Sequence, residues 1–170
     1  MIAHPIGSIT DAITIRTTPH EVWPWLVQMG GGRAGWYSYD VVDNRGHRSA
    51  DSIVPAFQAI RTGDVLPAVP GATDAFEVLQ FEPEASLVLG WRAPGDPVPV
   101  TTWAFVLERR GPNHTRLIER GRVRSPYRPF GLPEWIARWL APLAHRVMVR
   151  KHLRGIARRS ERSAGTWSLL

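Results

Sequence analysis

The stretch over 76–125, FEVLQFEPEASLVLGWRAPGDPVPVTTWAFVLERRGPNHTRLIERGRVRS, decides the fold class. Four runs in it alternate apolar and polar residues with the period of two expected of a half-buried strand: 76–82, 86–92, 99–110 and 115–125. Pro83-Glu84, Gly95-Asp96 and Gly111-Pro112-Asn113 separate them as turns, so consecutive strands should pair antiparallel. The alternation also assigns faces. Leu87, Leu89 and Trp91 fall on one side of the second run, and Trp103, Phe105 and Leu107 share a side of the third. In the fourth run Ile118, Arg120, Arg122 and Arg124 oppose Leu117, Glu119, Gly121 and Val123. Burying three guanidinium groups costs far more than burying one carboxyl, so the Glu119 side is predicted to face the core.

Upstream, residues 11–17 alternate Ile13 and Ile15 with Thr14 and Arg16, which predicts another strand. Thr18, Pro19 and Glu21 then mark a helix start, with Thr18 and Glu21 spaced as a capping box, and the helix should run from 19 to about 29. Pro24 lies inside it and should bend or tighten it. Gly30, Gly31 and Gly32 end it, and residues 30–44, GGGRAGWYSYDVVDN, read as a glycine loop followed by a short aromatic helix. The loop lacks the Lys-Ser/Thr of a phosphate-cradling loop and follows a helix, which argues against nucleotide binding. Residues 49–60 are expected to be a short helix or an irregular segment broken by Pro55, and Gly63-Asp64 a turn into Val65 and Leu66. Pro67, Pro70 and Gly71 predict an exposed loop.

Downstream, Leu132, Trp135, Ile136, Trp139, Leu140 and Leu143 recur at helical spacing. Val149, Leu153 and Ile156 extend the apolar face beyond Pro142, which is expected to kink or divide the helix. Arg146, Arg150, Arg154 and Arg158 form an i,i+4 row on the other side.

At 170 residues the chain is the size of one domain, and no repeat, low-complexity tract or linker divides it. It contains no Cys, so disulfides, thiolate nucleophiles and cysteine metal knuckles are excluded. The first ten residues have neither a basic nor an apolar targeting region, and the expectation is a cytoplasmic protein. The formal charge of +6 hides a split: six Arg face twelve acids up to Glu108, whereas fourteen Arg and Lys151 face three acids from Arg109 onward. Two readings remain open, a solvated Arg-rich surface and a weak contact with an anionic membrane that fades with salt. No motif for specific nucleic-acid recognition is present.

The order of a strand, two short helices, a run of antiparallel strands and a long amphipathic helix resembles the START-like superfamily, the SRPBCC or polyketide cyclase/dehydrase and lipid-transport group. The resemblance is carried by ITIRTTPHEVWPWLVQMGGGRAGWYSYDVVDN over 13–44, SADSIVPAFQAIRTGD over 49–64 and RKHLRGIARRSE over 150–161. It implies a single α+β domain over 1–170 with a helix-grip fold. In that fold a curved antiparallel sheet with two short N-terminal helices wraps around the long C-terminal helix, enclosing a pocket. A shared fold leaves function open, because the superfamily holds carriers, cyclases and hydrolases.

Candidate chemistry lies on the predicted inner wall. Glu119 is a lone acid among apolar neighbours, a setting that disfavours the charged form and suits general acid or base work; the alternatives are a structural acid paired with an Arg or a Tyr hydroxyl, or one at the rim in water. The expected pocket comprises Trp36, Tyr37, Tyr39, Asp40, Leu89, Trp91, Trp103, Phe105, Leu117 and Glu119. Tyr37, Tyr39 and Asp40 would supply polar groups at its mouth, or else serve the packing and capping of their own loop. His145 and His152 stand about 10 Å apart along the helix axis, too far to share a metal, and no metal or other cofactor is expected. The residues support binding or transport of a lipid-, polyketide- or isoprenoid-like molecule, or alternatively a cyclase or dehydratase acting on it through Glu119.

Overall fold

In a computed structural model of the chain, the structure describes residues 2, 4–93, 95–124 and 134–167, and in the last of these the side chains of 146–165. Six strands form one antiparallel sheet in the order β1-β6-β5-β4-β3-β2. They are β1 (Gly7–Ile15), β2 (Val65–Pro67), β3 (Ala75–Glu82), β4 (Ser86–Trp91), β5 (Thr101–Arg109) and β6 (Thr115–Val123). The helices are α1 (Pro19–Val27), the single turn α2 (Asp40–Asp43) and the long α3 (Glu134–Trp167), with a 3-10 turn at Pro55–Phe57.

The four runs of the central stretch become the meander β3 to β6, as their alternation requires, with every strand end within two residues of the expected one. A register shift between Val78 and Gln80 interrupts β3. Val65 and Leu66, expected only to follow a turn, add the short edge strand β2. The other edge is β1, paired with β6 from Gly7 opposite Val123 to Ile15 opposite Thr115. It begins four residues before the expected start, and the added segment keeps the same parity.

Three local expectations are corrected. The capping box does not form: Thr18 precedes α1, but its carbonyl, not its hydroxyl, accepts the Glu21 and Val22 amides. The aromatic residues of 30–44 lie ahead of α2 and not within it, because Tyr37 takes a left-handed backbone (φ 57°) that a helix excludes. Pro142 does not divide α3. The predicted stripe Leu132, Trp135, Ile136, Trp139, Leu140 and Leu143, together with His145, lies outside the described residues and side chains.

The core gathers Ile15, Val22, Trp25, Leu26, Met29, Leu87, Leu89, Phe105 and Leu117 against Val149, Leu153 and Ile156 of α3. Those three recur at steps of four and three, so one stripe of α3 enters the sheet's inner face while Arg146, Arg150, Arg154 and Arg158 stay exposed. Close approach of α3 to the loop before α2 depends on Gly155. A Cβ there would lie 2.7 Å from the Tyr37 Cβ and closer still to the Tyr37 carbonyl oxygen. Among the described residues no helix is long and apolar enough to cross a membrane.

Candidate functional site

Residues directly opposite in an antiparallel pair project from the same face. The register therefore draws one row across the inner face: Phe81, Leu87, Phe105, Glu119 and Asp11. The neighbouring row runs through Leu89, Trp103 and Gly121. Glu119 is thus set between an aromatic ring and a second acid, and it is 2% exposed.

Both ends of the Glu119 carboxyl meet ring nitrogens. Oε1 accepts a hydrogen bond from Trp103 Nε1 at 2.7 Å. Oε2 lies 3.3 Å from His152 Nδ1 on α3, without the alignment of a hydrogen bond, so neither of these buried atoms has a hydrogen-bond partner. His152 is 2% exposed. Its Nε2 stands 3.2 Å from Met29 Sδ, and its ring packs edge-on against Trp103 and Phe105 at centroid distances of 5.3 and 5.7 Å. If Nε2 carries the proton toward the sulfur, the neutral ring turns a lone pair toward Oε2, and two acceptors face each other until a proton lies between them. With the other tautomer the proton already sits there.

Two more acids border this pair. Asp11 Oδ2 on β1 is buried without a hydrogen-bond partner, and so are both carboxylate oxygens of Asp43 on α2. Burial holds the Asp43 carboxyl above its ordinary range and the Asp40 charge adds to this, while the neighbouring Tyr39 backbone and, after it, His152 oppose it. A buried polar atom without a partner costs about 1–3 kcal/mol, so the facing Glu119 Oε2 and His152 Nδ1 are an expensive arrangement for a purely structural core. The rest of the wall is aromatic: Trp36 stacks on Trp103 at 5.5 Å, and Phe76 and Phe105 lie 5.7 and 4.9 Å from Trp103.

The structure brings together Trp36, Leu89, Trp103, Phe105, Leu117 and Glu119 of the expected pocket in one cluster. Tyr37 belongs to the same buried cluster, with its amide donating to Ser49 Oγ and its hydroxyl accepting from Gln28 Nε2 at 2.9 Å and donating to the Trp25 carbonyl at 3.2 Å. The others are placed differently. Asp40 accepts from the Ser49 amide and hydroxyl. Tyr39 faces outward beneath the Lys151 ammonium, 3.8 Å from its ring centre. Trp91 is half-buried at the end of β4.

From the sequence, His152 is weighed only as a metal ligand, and Asp11 and Asp43 are not singled out. Two of the three could have been found, since His152 falls three residues after Val149 and four before Ile156, and Asp11 has the parity of Ile13 and Ile15. A one-turn helix carries no periodicity, so Asp43 left no comparable signal.

Two recesses lined by described residues are open grooves. One of about 330 Å³ lies by Arg16, Asn113 and Glu161, and one of about 680 Å³ lies between β1 and α3; neither is lined by Glu119 or His152. Among the described residues no group of three or more His, Asp or Glu could hold a metal ion.

No known family and no curated protein matches the chain. Solved structures do. A protein from Thermobifida fusca superposes with a TM-score of 0.56 at 14% identity, over 91% of this chain and 93% of that one. A protein from Nitrosospira multiformis gives 0.53 at 9% identity, over 89% and 94%. An HSP90 activator from Plasmodium falciparum gives 0.51 at 11% identity, over 81% and 88%. At such identities the likeness is one of architecture, and with the sheet order and the packing of α3 it identifies the chain as an α+β protein of the helix-grip fold.

Proposed function

We propose that the protein, as a member of the START-like superfamily, binds a small and mainly apolar molecule between α3 and the inner face of the sheet. The observation that carries this reading is the buried Glu119–His152 pair, whose facing oxygen and nitrogen lack hydrogen-bond partners inside an aromatic wall. A ligand with one hydroxyl or carbonyl would satisfy the unpartnered atoms, while Trp36, Phe76, Trp103 and Phe105 would cover its apolar body. These rings now touch one another, so binding requires them to part. Trp103 and Phe76 are only partly buried and are the residues with room to move.

A second reading is favoured by the same spacing. An imidazole and a carboxyl 3.3 Å apart can take a proton from one position of a bound substrate and return it at another, as a cyclase or dehydratase requires. Native mass spectrometry of freshly purified protein should show a ligand at one copy per chain, released on unfolding. Saturable binding of an apolar fluorescent probe should follow removal of that ligand. In the carrier, Glu119→Gln alters affinity modestly; in the enzyme it preserves affinity and lowers turnover of the copurified compound by about 10²- to 10⁴-fold. Absence of both a copurifying ligand and any saturable probe site would refute the pocket.

A further inference from the structure

The Arg row of α3 does not enter the site just described, and it is not evenly spread over the surface. The 680 Å³ groove between β1 and α3 is lined by Arg150, Lys151, Arg154 and Arg158, with Ile13, Val147 and Ala157 on its apolar side. Its one acid, Glu161, already accepts the Arg16 amide at 2.8 Å and pairs with the Arg16 guanidinium. Among the described residues no carboxylate lies within ion-pair distance of the four cations. Arg150, Arg154 and Arg158 follow one another at about 6 Å along the helix, forming a continuous basic rim about 12 Å long.

Apolar side chains stand in water at one end of this rim. Tyr39 lines the groove with its ring under Lys151, and the helix that follows it exposes Val41 at 83% and Val42 at 62%. Val147, on the preceding turn of α3, is 47% exposed. The same one-turn helix buries Asp43, so its inward side is committed and the two valines can point only outward. Single exposed apolar residues are ordinary, but four beside four cations that no carboxylate neutralises are a composition that neither water nor an acidic protein surface explains. An anionic lipid surface accounts for both halves: valines enter the headgroup boundary while guanidinium groups meet phosphates.

We propose that this face, Val41, Val42, Tyr39 and Val147 with Arg150, Lys151, Arg154 and Arg158, docks on an anionic membrane surface. Nucleic acid would use the cations and leave the valines without a role. Each basic residue near an anionic bilayer contributes about fivefold to partitioning, and each buried valine about tenfold. The cationic share falls with salt, whereas the apolar share does not.

The test is cosedimentation of the full chain with vesicles of phosphatidylcholine alone and of phosphatidylcholine with 30% phosphatidylglycerol, at low and physiological salt, beside a duplex DNA binding assay. Binding to the anionic vesicles only, reduced but retained at physiological salt, is the expected result. Val41→Asp with Val42→Asp should weaken it at least tenfold. Arg150→Glu with Arg154→Glu should weaken it by a similar factor, with circular dichroism unchanged in both variants. Equal binding to neutral vesicles, indifference to the valine pair, or DNA binding that exceeds vesicle binding would each overturn the proposal. Should either double variant fail to fold, Val41→Ser alone, at a fully outward position, must still lower vesicle binding severalfold, and an unchanged value refutes the assignment.

Discussion

Replacing Gly155 by Ala should destabilise the protein, although the same change in an ordinary exposed helix stabilises it. Propensity alone favours Ala by about 1 kcal/mol. The new methyl would sit 2.7 Å from the Tyr37 Cβ and nearer still to its carbonyl oxygen, so one side must retreat by about 1 Å to reach ordinary contact distance. Tyr37 cannot retreat cheaply: its left-handed backbone is held through Ser49 Oγ, its hydroxyl is held by Gln28 and Trp25, and the Arg159 guanidinium lies 4.7 Å from its ring centre. Retreat of α3 would withdraw Leu153 and Ile156, 3% and 0% exposed, from the core. Overpacking costs about 1–3 kcal/mol, and a clash with backbone belongs at the upper end, leaving a net loss of about 2 kcal/mol after the propensity gain. At about 2–4 °C per kcal/mol for a chain of this size, Tm should fall by about 4–8 °C. The control is in the same helix, at Gly165, where a Cβ would meet nothing within 4 Å. Gly165→Ala should leave Tm unchanged or raise it by up to about 4 °C. Thermal melts followed by circular dichroism decide the matter. If Gly155→Ala melts at or above the parent, moving with Gly165→Ala, the close approach of α3 to the Tyr37 loop is wrong.

Two further substitutions probe the buried polar groups. Because Asp43 is held above its ordinary value, the folded chain keeps a proton that the unfolded chain has lost; stability therefore falls as pH rises from the ordinary carboxylate range through the raised one. Asp43→Asn removes that slope, so urea midpoints of variant and parent should draw apart in the variant's favour between pH 4 and pH 7, and a gap independent of pH would contradict the burial argument. Gln28 is fully buried and makes four hydrogen bonds, to the Tyr37 hydroxyl, the Ser52 carbonyl, the Val54 amide and the Gln58 amide. Gln28→Leu should cost about 2–3 kcal/mol and lower Tm by about 5–10 °C, and a neutral result would mean that these groups are solvated in the folded chain.

Most of the sheet was legible because period-two alternation and a Gly or Pro turn specify a strand and its partner locally. Glu119 could be placed inside by the same parity, since the opposite choice buried Arg120 and Arg122. The centre of the site was harder because it is made across elements. Glu119 meets His152 only when α3 is laid over β6, and no pattern within either segment records that meeting. Tyr37 and Asp40 show the converse difficulty. Their residue types suit a pocket mouth, yet their polar atoms are spent on Ser49, Gln28 and Trp25, partners 9 to 12 positions away whose geometry depends on one left-handed residue.

The pairing of β1 with β6 has a consequence for how the chain folds. The meander β3 to β6 joins neighbours along the chain, so its contacts close short loops and form early. Gly7 to Ile15, by contrast, waits for partners 100 to 116 positions later, and α3 follows after that. During synthesis at about 5–20 residues per second, β1 and its apolar row Ile9, Ile13 and Ile15 remain unpaired for at least several seconds. Asp11 and Glu119 stand opposite one another across this seam, and His152 reaches Glu119 only once α3 has been laid over the sheet. The approach of Glu119 to His152 is therefore completed only after both β6 and α3 are in place, late in the assembly of the chain.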